Sequence, residues 1–251
     1  MPLRFLFWSL CNIRFKIMTV LYIEPSFILK GEAKMIKLCI FDMDGTVVNT
    51  IDTIAYFANN ALNKFGLESI ETNEYKTLVG NGAYVLVKRM IDFVGGTDED
   101  FEKVYEYYNS TYDNDFMYLT EPYEGIIDML EELKKNGIKI AILSNKPDIT
   151  AKKVSRELFG ENLIDLCYGG REGKALKPDP ESVFEIIDLF GVEKDECLYI
   201  GDTATDIQTA KNAGLYSVGV LWGFRDEKEL RDAGADMIVS SPTEIVEKAR
   251  A

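Results

Sequence analysis

Residues 41–50 read FDMDGTVVNT and directly follow MIKLCI, the apolar run of residues 35–40. An apolar run of this length that stops abruptly predicts a buried β-strand. The strand ends on two carboxylates, Asp42 and Asp44, and the chain then switches at once to a Gly-Thr pair. Charges at the end of a buried strand are unfavourable unless other groups compensate them. The stretch therefore predicts a site whose charges are balanced by partners elsewhere in the chain.

The bulk composition is that of an acidic globular protein. The chain has 251 residues, of which 47% are apolar and 28% are charged, and its net charge is -14. This acidic balance argues against a nucleic-acid partner, because phosphates must be neutralised by lysine and arginine. It is compatible with a small anionic substrate, because a local cation can reverse the field within one cleft.

The chain contains no histidine. This absence excludes Ser-His-Asp and Cys-His catalysis and histidine metal sites, so catalysis must use carboxylates, hydroxyls, lysine or a hard metal ion. The four cysteines show no CxxC spacing, and three of them lie in or beside apolar runs. Buried free thiols and a reducing, cytoplasmic setting are therefore expected.

Residues 1–34 differ from the rest of the chain in charge and pattern. They carry five basic and two acidic residues, and the apolar run at 5–13 is too short and interrupted for a signal peptide or membrane span. Codons for residues 30–32 can form a purine-rich ribosome-binding sequence. We therefore expect translation to start at Met35, with a membrane-surface or targeting segment as the alternative. An intact mass that begins at Met1 would contradict the first interpretation.

From Met35 onward, apolar runs alternate with amphipathic helical segments, which predicts a three-layer α/β fold with a parallel, Rossmann-like sheet. The predicted strands are 37–41, 138–143, 197–200, 217–221 and 236–239. The predicted helices cover 125–136, 148 to about 160, a segment opened by Pro180, and a last segment opened by Pro242. Asp148 is expected to be an N-cap, and the first of these helices should bury Ile126, Ile127, Leu130 and Leu133.

Residues 51–121 interrupt this alternation, because they contain helical patterns and no convincing strand. We interpret them as an all-helical cap inserted between the first two strands, with residues 35–50 and 122–251 forming the core. An insertion at this point lies over the carboxyl ends of the strands, where ligands bind in such folds. Hinges are expected near residues 49–52 and 120–123.

Four short motifs follow predicted strands or lie close to a strand end. They are Asp42-x-Asp44-Gly-Thr46, Ser144-Asn145, Lys177-Pro178 and Gly201-Asp202-x-x-x-Asp206. In their order, their spacing and the position of the helical insertion, they resemble the haloacid dehalogenase superfamily over essentially all of residues 36–251. The resemblance implies a Mg²⁺-dependent phosphatase whose site lies where these four motifs meet.

Asp42 and Asp44 are the candidate catalytic carboxylates. Asp42 is expected to take a phosphoryl group as an aspartyl phosphate. Asp44 is expected to protonate the leaving oxygen and then to activate water as a general base. Gly45 permits a tight backbone, and Thr46 can hydrogen-bond beside the substrate phosphate. The alternatives are a strand-end carboxylate bonded to loop amides for Asp42 and a turn residue for Asp44.

Three further residues are candidates for binding the phosphoryl group. Ser144 and Asn145 end a predicted strand and offer a hydroxyl and amides, although a helix cap or turn is also compatible with them. Lys177 precedes a proline and supplies the cation that phosphoryl transfer needs, unless it is a solvated surface lysine.

Asp202 would complete a set of oxygen ligands for Mg²⁺ with Asp42 and the backbone carbonyl of Asp44. Asp206 lies one helical turn further on and would support the metal or orient Lys177. Capping of the following helix is the alternative for both Asp202 and Asp206.

The cap segment VGNGAYVLVKR, residues 79–89, is together with LSNKPD, KPDP and WGFRDEKEL most similar to the phosphoglycolate phosphatase subfamily. This resemblance implies 2-phosphoglycolate as the substrate. It also implies a substrate-facing loop of Gly80, Asn81 and Gly82, with Lys88 or Arg89 near the substrate carboxylate. A simple turn at the start of a helix explains this loop equally well.

Other activities on the same fold stay open. A pyrophosphatase or a broad phosphatase for sugar phosphates or nucleotides would share the same core motifs. A mutase is disfavoured, because the resemblance implies a cap histidine that this chain lacks. A catalytically silent phosphate-binding protein is a further alternative. In each case the expected partner is a small phosphorylated metabolite, with no nucleic acid and no membrane, and the oligomeric state is not predicted.

Overall fold

The computed structural model describes residues 34–251, whose strands define the architecture. The strands are Leu38–Phe41 (β1), Val48–Asn49 (β2), Glu121–Pro122 (β3), Lys139–Pro147 (β4), Leu166–Gly170 (β5), Cys197–Gly201 (β6), Tyr216–Val220 (β7) and Met237–Val239 (β8). Six of these described strands form a parallel sheet in the order β5-β4-β1-β6-β7-β8, while β2 and β3 pair antiparallel. The predicted parallel α/β sheet is confirmed.

Ten helices accompany these strands within residues 34–251. They are Ile51–Lys64 (α1), Thr72–Leu78 (α2), Gly82–Val94 (α3), Asp98–Tyr112 (α4), Ile126–Lys135 (α5), Asp148–Phe159 (α6), Glu181–Phe190 (α7), Ala204–Ala213 (α8), Glu227–Ala233 (α9) and Pro242–Arg250 (α10). A short 3₁₀ turn, Lys194–Glu196, precedes β6.

The central strand β1 is buried on both faces, as expected for a parallel strand covered by helices. Leu38 and Ile40 pack into one apolar cluster with residues of α7 and α8. Cys39 and Phe41 pack into a second cluster with residues of α5, α6 and α10. Alternate residues of β1 thus pack into apolar cores on the two faces of the sheet. Helices cover each face, which gives three layers, helix, sheet and helix.

Residues 51–121, interpreted above as the cap, contain α1 to α4, and these helices bury side chains in a separate apolar cluster that Phe224 of the core also joins. The cluster is filled by residues at helical spacing on α1, such as Ala58, Ala61 and Leu62, and by Val87 and Met90 of α3. The pair of β2 and β3 joins the two points where the chain enters and leaves this segment. This small pair was not predicted, because two-residue strands leave no periodicity to detect.

Two local expectations were wrong. Asp148 is the first residue of α6 rather than its N-cap, because Pro147, the last residue of β4, holds the N-cap position. The Asp148 carboxylate instead accepts a hydrogen bond from the amide of Gly169, at 2.9 Å. Ile127 is 42% exposed, and Met129 takes the expected buried place on α5.

The interpretations of residues 1–34 fall, except for Lys34, outside the described residues, and the expected start at Met35 stays a prediction. Among residues 34–251, no helix is long and apolar enough to cross a membrane. The three cysteines in this range, Cys39, Cys167 and Cys197, carry free thiols.

Candidate active site

The residues that follow β1 and β6, the last residues of β4 and Lys177 meet at the carboxyl edge of the sheet. Lys177 donates to Asp42 Oδ1 at 2.6 Å and to Asp206 Oδ1 at 2.8 Å. Its side chain is 4% exposed, so it is not the solvated surface lysine of the alternative interpretation. The ammonium group lies between two carboxylates that are 135 and 29 residues away in sequence.

Asp42, Asp202 and Asp206 form a buried carboxylate cluster. One oxygen from each lies within 4.8 Å of the others, which is a spacing that a single cation can bridge. Asp202 also accepts hydrogen bonds from the Thr46 hydroxyl at 3.3 Å and from the Phe224 amide at 2.8 Å. Three buried carboxylates face one ammonium group, so the carboxylate cluster has unbalanced negative charge that a divalent cation with oxygen ligands would offset.

The protonation behaviour of the carboxylate cluster reflects this imbalance. Burial and the neighbouring Asp206 raise the pKa of Asp42 to about 7, although Lys177 opposes the shift. Burial, followed by Asp206 and Asp42, raises the pKa of Asp202 well above its usual range. A cation at the carboxylate cluster would favour the ionised forms and reverse these shifts.

Asp206 satisfies both interpretations that its position allowed. Its Oδ2 accepts from the amide and hydroxyl of Thr203, at 3.1 and 2.7 Å, and closes a capping box at the start of α8. Its Oδ1 binds Lys177. Asp202 is not the N-cap, since Thr203 holds that position. One carboxylate therefore begins a helix and orients a lysine.

Two glycines allow the loops around Asp202 to approach each other. Gly45 has a φ of 89°, and a Cβ there would lie 2.3 Å from Asp202 Oδ2. A Cβ on Gly223 would lie 2.4 Å from the carbonyl oxygen of Gly45. A side chain at either position would clash with the metal-binding candidate Asp202, so both positions require glycine.

Asn145 holds Lys177 through its side chain. Its Oδ1 accepts from the backbone amide of Lys177 at 2.8 Å, and its Nδ2 donates to the Lys177 carbonyl at 3.1 Å. Ser144 is buried, lines the pocket, and accepts from the Lys146 amide at 3.2 Å. The predicted phosphate contacts of Ser144 and Asn145 stay predictions, and Asn145 has a positioning role that the sequence did not reveal.

Asp44 lies opposite a lysine that was not assigned from the sequence. Lys146 donates to Asp44 Oδ1 at 3.1 Å and to the hydroxyl of Tyr112 at 2.7 Å. Burial alone would lower the pKa of Lys146, but Asp44 and Tyr112 raise it overall, so Lys146 stays charged. In the sequence, the only sign of a role for Lys146 was its place after Asn145 in LSNKPD. Its partner Tyr112 lies on α4, far away in sequence, so the contact between them could not be predicted.

The motif WGFRDEKEL also supplies contacts that sequence reasoning left unassigned. The indole N–H of Trp222 donates to the carbonyl of Thr46 at 2.9 Å, and the amide of Phe224 donates to Asp202. Arg225 donates to the carbonyl of Val79 in the cap at 2.9 Å. The segment after β7 therefore connects the Asp-Gly-Thr turn, the carboxylate cluster and the cap.

A pocket lies between this edge of the sheet and the cap. The lining residues are Asp42, Asp44, Ile54, Val79, Gly80, Gly82, Ala83, Leu86, Tyr108, Asn109, Tyr112, Asp113, Ser144, Asn145, Lys146, Pro147, Lys177 and Phe224. Besides the Arg225 bond, the hydrogen bonds that cross between residues 51–121 and the core include Asn145 to the Gly80 carbonyl at 3.3 Å, Thr150 to Asp113 at 2.9 Å, and Lys146 to Tyr112. Residues 51–121 thus cover Asp42 and Asp44, the two catalytic candidates that follow β1.

The loop at 80–82 has features of both interpretations given above, a substrate-facing loop and a simple turn at the start of a helix. Gly80 and Gly82 line the pocket, as a substrate-facing loop requires. Arg89, however, donates to the carbonyl of Leu78 at 2.8 Å and to Asn81 Oδ1 at 2.9 Å. It therefore fastens the loop and is not a pocket-lining residue, and neither is the exposed Lys88. The expected place of Lys88 or Arg89 near the substrate carboxylate is not what the geometry gives.

Comparisons with known proteins find similar sequences and similar structures. The sequence model for haloacid dehalogenase-like hydrolases matches residues 39–220. The chain is 30% identical to the phosphoglycolate phosphatase of Mannheimia succiniciproducens, over 80% of this chain and 93% of that protein. It is also 30% identical to the phosphoglycolate phosphatase of Aquifex aeolicus, over 84% and 95% of the two chains. A provisionally assigned phosphoglycolate phosphatase from Lactobacillus delbrueckii superposes with a TM-score of 0.83 at 30% identity, over 87% of this chain and all of that one.

Proposed function

The chain belongs to the haloacid dehalogenase-like hydrolase family, and on this premise we propose that it is a Mg²⁺-dependent phosphatase for a small phosphomonoester, 2-phosphoglycolate being the preferred one. The observation that carries the proposal is the meeting of Asp42, Asp44, Lys177 and Asp202 at one edge of the sheet, under a cap. Separate motifs have no structural reason to bring three carboxylates and a lysine together in a buried place.

In the first half of the proposed reaction, Asp42 is the nucleophile. Lys177 holds its Oδ1 at 2.6 Å, which leaves Oδ2 to attack phosphorus. The new Oδ2–P bond forms as the bond from phosphorus to the leaving oxygen breaks, and Asp44 gives its proton to that oxygen. The products of this half are a free alcohol and an aspartyl phosphate.

In the second half, Asp44 accepts a proton from water. The water oxygen forms a bond to phosphorus while the bond from phosphorus to Asp42 breaks, which releases inorganic phosphate, restores the Asp42 carboxylate and returns Asp44 to its protonated form. Lys177 and the Ser144 hydroxyl would bind phosphoryl oxygens during both halves. Closure of the cap would exclude bulk water from this low-dielectric place.

Asp42, Asp202 and the backbone carbonyl of Asp44 would hold Mg²⁺, with Asp206 behind them. When bound, the ion supplies positive charge that neutralises the carboxylates and the phosphoryl oxygens. The buried and unbalanced carboxylate cluster described above fits such a cation. Hydrolysis of phosphate monoesters needs this convergence, since enzymes accelerate it by up to ~10²¹ whereas a general acid alone supplies about 10²–10⁴.

The choice of 2-phosphoglycolate is supported by the relatives that carry this activity in their names. Pyrophosphate and sugar phosphates are the second candidates, because Asp42, Asp44 and Lys177 contact only the phosphoryl group and the leaving oxygen. The cap side of the pocket is mainly apolar and aromatic, which favours a small ester over a large polar sugar.

The test is Mg²⁺-dependent release of phosphate by the wild type and by Asp42→Asn. We expect kcat to fall by at least roughly 1,000-fold, because the nucleophile is removed while its shape is kept. Asp188→Asn, the same change at an exposed position on α7, is the matched control and should keep full activity. Equal activity in the wild type and Asp42→Asn would contradict the proposal. A panel of 2-phosphoglycolate, pyrophosphate, sugar phosphates and nucleotides, ranked by kcat/KM, identifies the substrate.

A further inference from the structure

Lys146 is a buried lysine at the pocket that the proposed reaction does not use. Its side chain is 5% exposed, and its ammonium group lies 3.1 and 3.2 Å from the two oxygens of Asp44. The hydroxyl of Tyr112 lies 2.7 Å away. Among residues 34–251, Asp44 and Tyr112 are the two residues that hydrogen-bond this ammonium group. The two Asp44 oxygens lie at nearly equal distances and can share one of its three N–H donors, which leaves another donor for a ligand.

The position of Lys146 distinguishes it from the other cations near the site. Among the described residues, Lys146 and Lys177 are the two cationic side chains that line the pocket. Lys177 is held by Asp42 and Asp206 on the phosphoryl side. Arg89 is bound to the loop at 78–81. Lys146 is therefore the cation on the side where the leaving group would lie.

A substrate with an anionic leaving group meets an electrostatic obstacle at this place. Asp113 lines the pocket, and its carboxylate would repel an incoming carboxylate unless a cation lay close by. In 2-phosphoglycolate, the carboxylate carbon is two bonds from the ester oxygen that Asp44 would protonate. An ammonium group in contact with Asp44 is therefore within reach of that carboxylate.

We propose that Lys146 is the specificity-determining residue that binds the carboxylate of the leaving group, in a site completed by the Tyr112 hydroxyl when the cap is closed. The inference rests on the proposed phosphatase function and deepens it. Tyr112 belongs to the cap and Lys146 to the core, so the carboxylate is bound only where the two meet. The same ammonium group keeps Asp44 directed toward the leaving oxygen.

The test compares a matched pair of substrates, 2-phosphoglycolate and 2-hydroxyethyl phosphate, which differ in having a carboxylate or an alcohol at the same place. For Lys146→Met, we expect kcat/KM for 2-phosphoglycolate to fall by roughly 30-fold more than for 2-hydroxyethyl phosphate, since a buried charge partner is lost. An equal loss for both esters would overturn the inference and leave Lys146 as a positioning residue for Asp44. Lys135→Met, an exposed lysine on α5, is the matched control.

A second measurement needs no variant at this position. The wild type should prefer 2-phosphoglycolate to 2-hydroxyethyl phosphate, and 2-hydroxyethyl phosphate to 2-aminoethyl phosphate, whose cation Lys146 would repel. Equal kcat/KM for the anionic and the cationic ester would overturn the inference even if Lys146→Met failed to fold.

Failure of the proposed function is recognised separately. If the wild type released no phosphate from any ester, calorimetric binding of the three esters to Asp42→Asn would still measure the preference. Binding that follows the order carboxylate, alcohol, amine would support the role of Lys146 in a protein that is not a phosphatase. Binding without that order would overturn it.

Discussion

The two sides of the pocket are built from different kinds of contact. On the sheet side, buried charges such as Asp42, Lys177 and Asp206 each hold at least one partner by a short hydrogen bond. On the cap side, the lining is formed mainly by apolar and aromatic groups, including Leu86 and Tyr108. Buried charges tolerate little displacement, whereas apolar surfaces can be repacked at modest cost. The sheet side therefore determines the reaction, and the cap side can change with the substrate.

Replacing Lys177 by methionine should have the largest effect, because it removes the one ammonium group among three buried carboxylates. We expect a loss of at least roughly 1,000-fold in kcat and a loss of about 3–5 kcal/mol in the free energy of unfolding without metal. Urea denaturation and phosphate release measure the two effects. Lys174→Met, in the same loop but partly exposed and paired at the surface, should change either quantity little. A stable, active Lys177→Met protein would contradict the described difference between the two sides.

Magnesium should stabilise the sheet side by the next largest amount. A cation that binds only the folded protein adds about 2.7 kcal/mol at a concentration of 100 times its Kd. The melting temperature of the wild type should therefore rise on addition of Mg²⁺ and fall again with a chelator. Asp202→Asn should abolish most of this rise, while Asp188→Asn should keep it. A rise of the same size in Asp202→Asn would place the ion elsewhere.

Loosening the cap should cost less than damaging the sheet side. Arg225 donates to the Val79 carbonyl and pairs with Glu229 at 3.1 Å, so Arg225→Met removes one of the bonds that cross between cap and core. We expect KM to rise by roughly 3–10-fold with little change in melting temperature, because substrate binding must then order a freer cap. Arg231→Met, an exposed change on α9, is the control. A collapse of kcat with unchanged KM would assign Arg225 to the chemistry instead.

The smallest expected effect is on the free energy of unfolding and comes from Asp148, the residue that follows β4. Burial alone would raise the pKa of Asp148, but Lys152 and the amide of Gly169 lower it overall. A carboxyl group with a lowered pKa stabilises the folded state above the pKa of the unfolded chain, and this stability is lost as the pH falls through the folded pKa. Asp148→Asn should therefore cost roughly 0.5–1 kcal/mol near neutral pH, and the difference should narrow below about pH 4. Urea denaturation of the wild type and of Asp148→Asn, from neutral pH to below about pH 4, measures this difference in the free energy of unfolding. A difference that does not change with pH would argue against a role for the Asp148 charge.

The sheet side could be predicted from the sequence because its residues lie at the ends of strands. Asp42 and Asp202 directly follow β1 and β6, and Ser144 lies in the last four residues of β4. Parallel strands place such ends at one edge. The contact between Lys177 and Asp206 was also among the interpretations considered. Local pattern and fold topology were sufficient for these residues.

The cap side could not be predicted in the same way. Whether Tyr112 or Arg89 faces the pocket depends on how α3 and α4 pack on each other and on the core, and helical periodicity gives only the apolar face. Arg89 was expected near the substrate and instead binds the loop of Leu78 and Asn81. Lys146 was overlooked because its two partners, Asp44 and Tyr112, are 102 and 34 residues away.

The double use of Asp206 has a consequence for how the protein would lose activity on mild warming. Opening of the first turn of α8 would release the carboxylate from Thr203 and, in the same event, leave Lys177 with one partner fewer. Helix termini are the places where local opening is easiest. Amide hydrogen exchange at the start of α8 and the onset of inactivation should therefore follow the same temperature, well before the sheet unfolds.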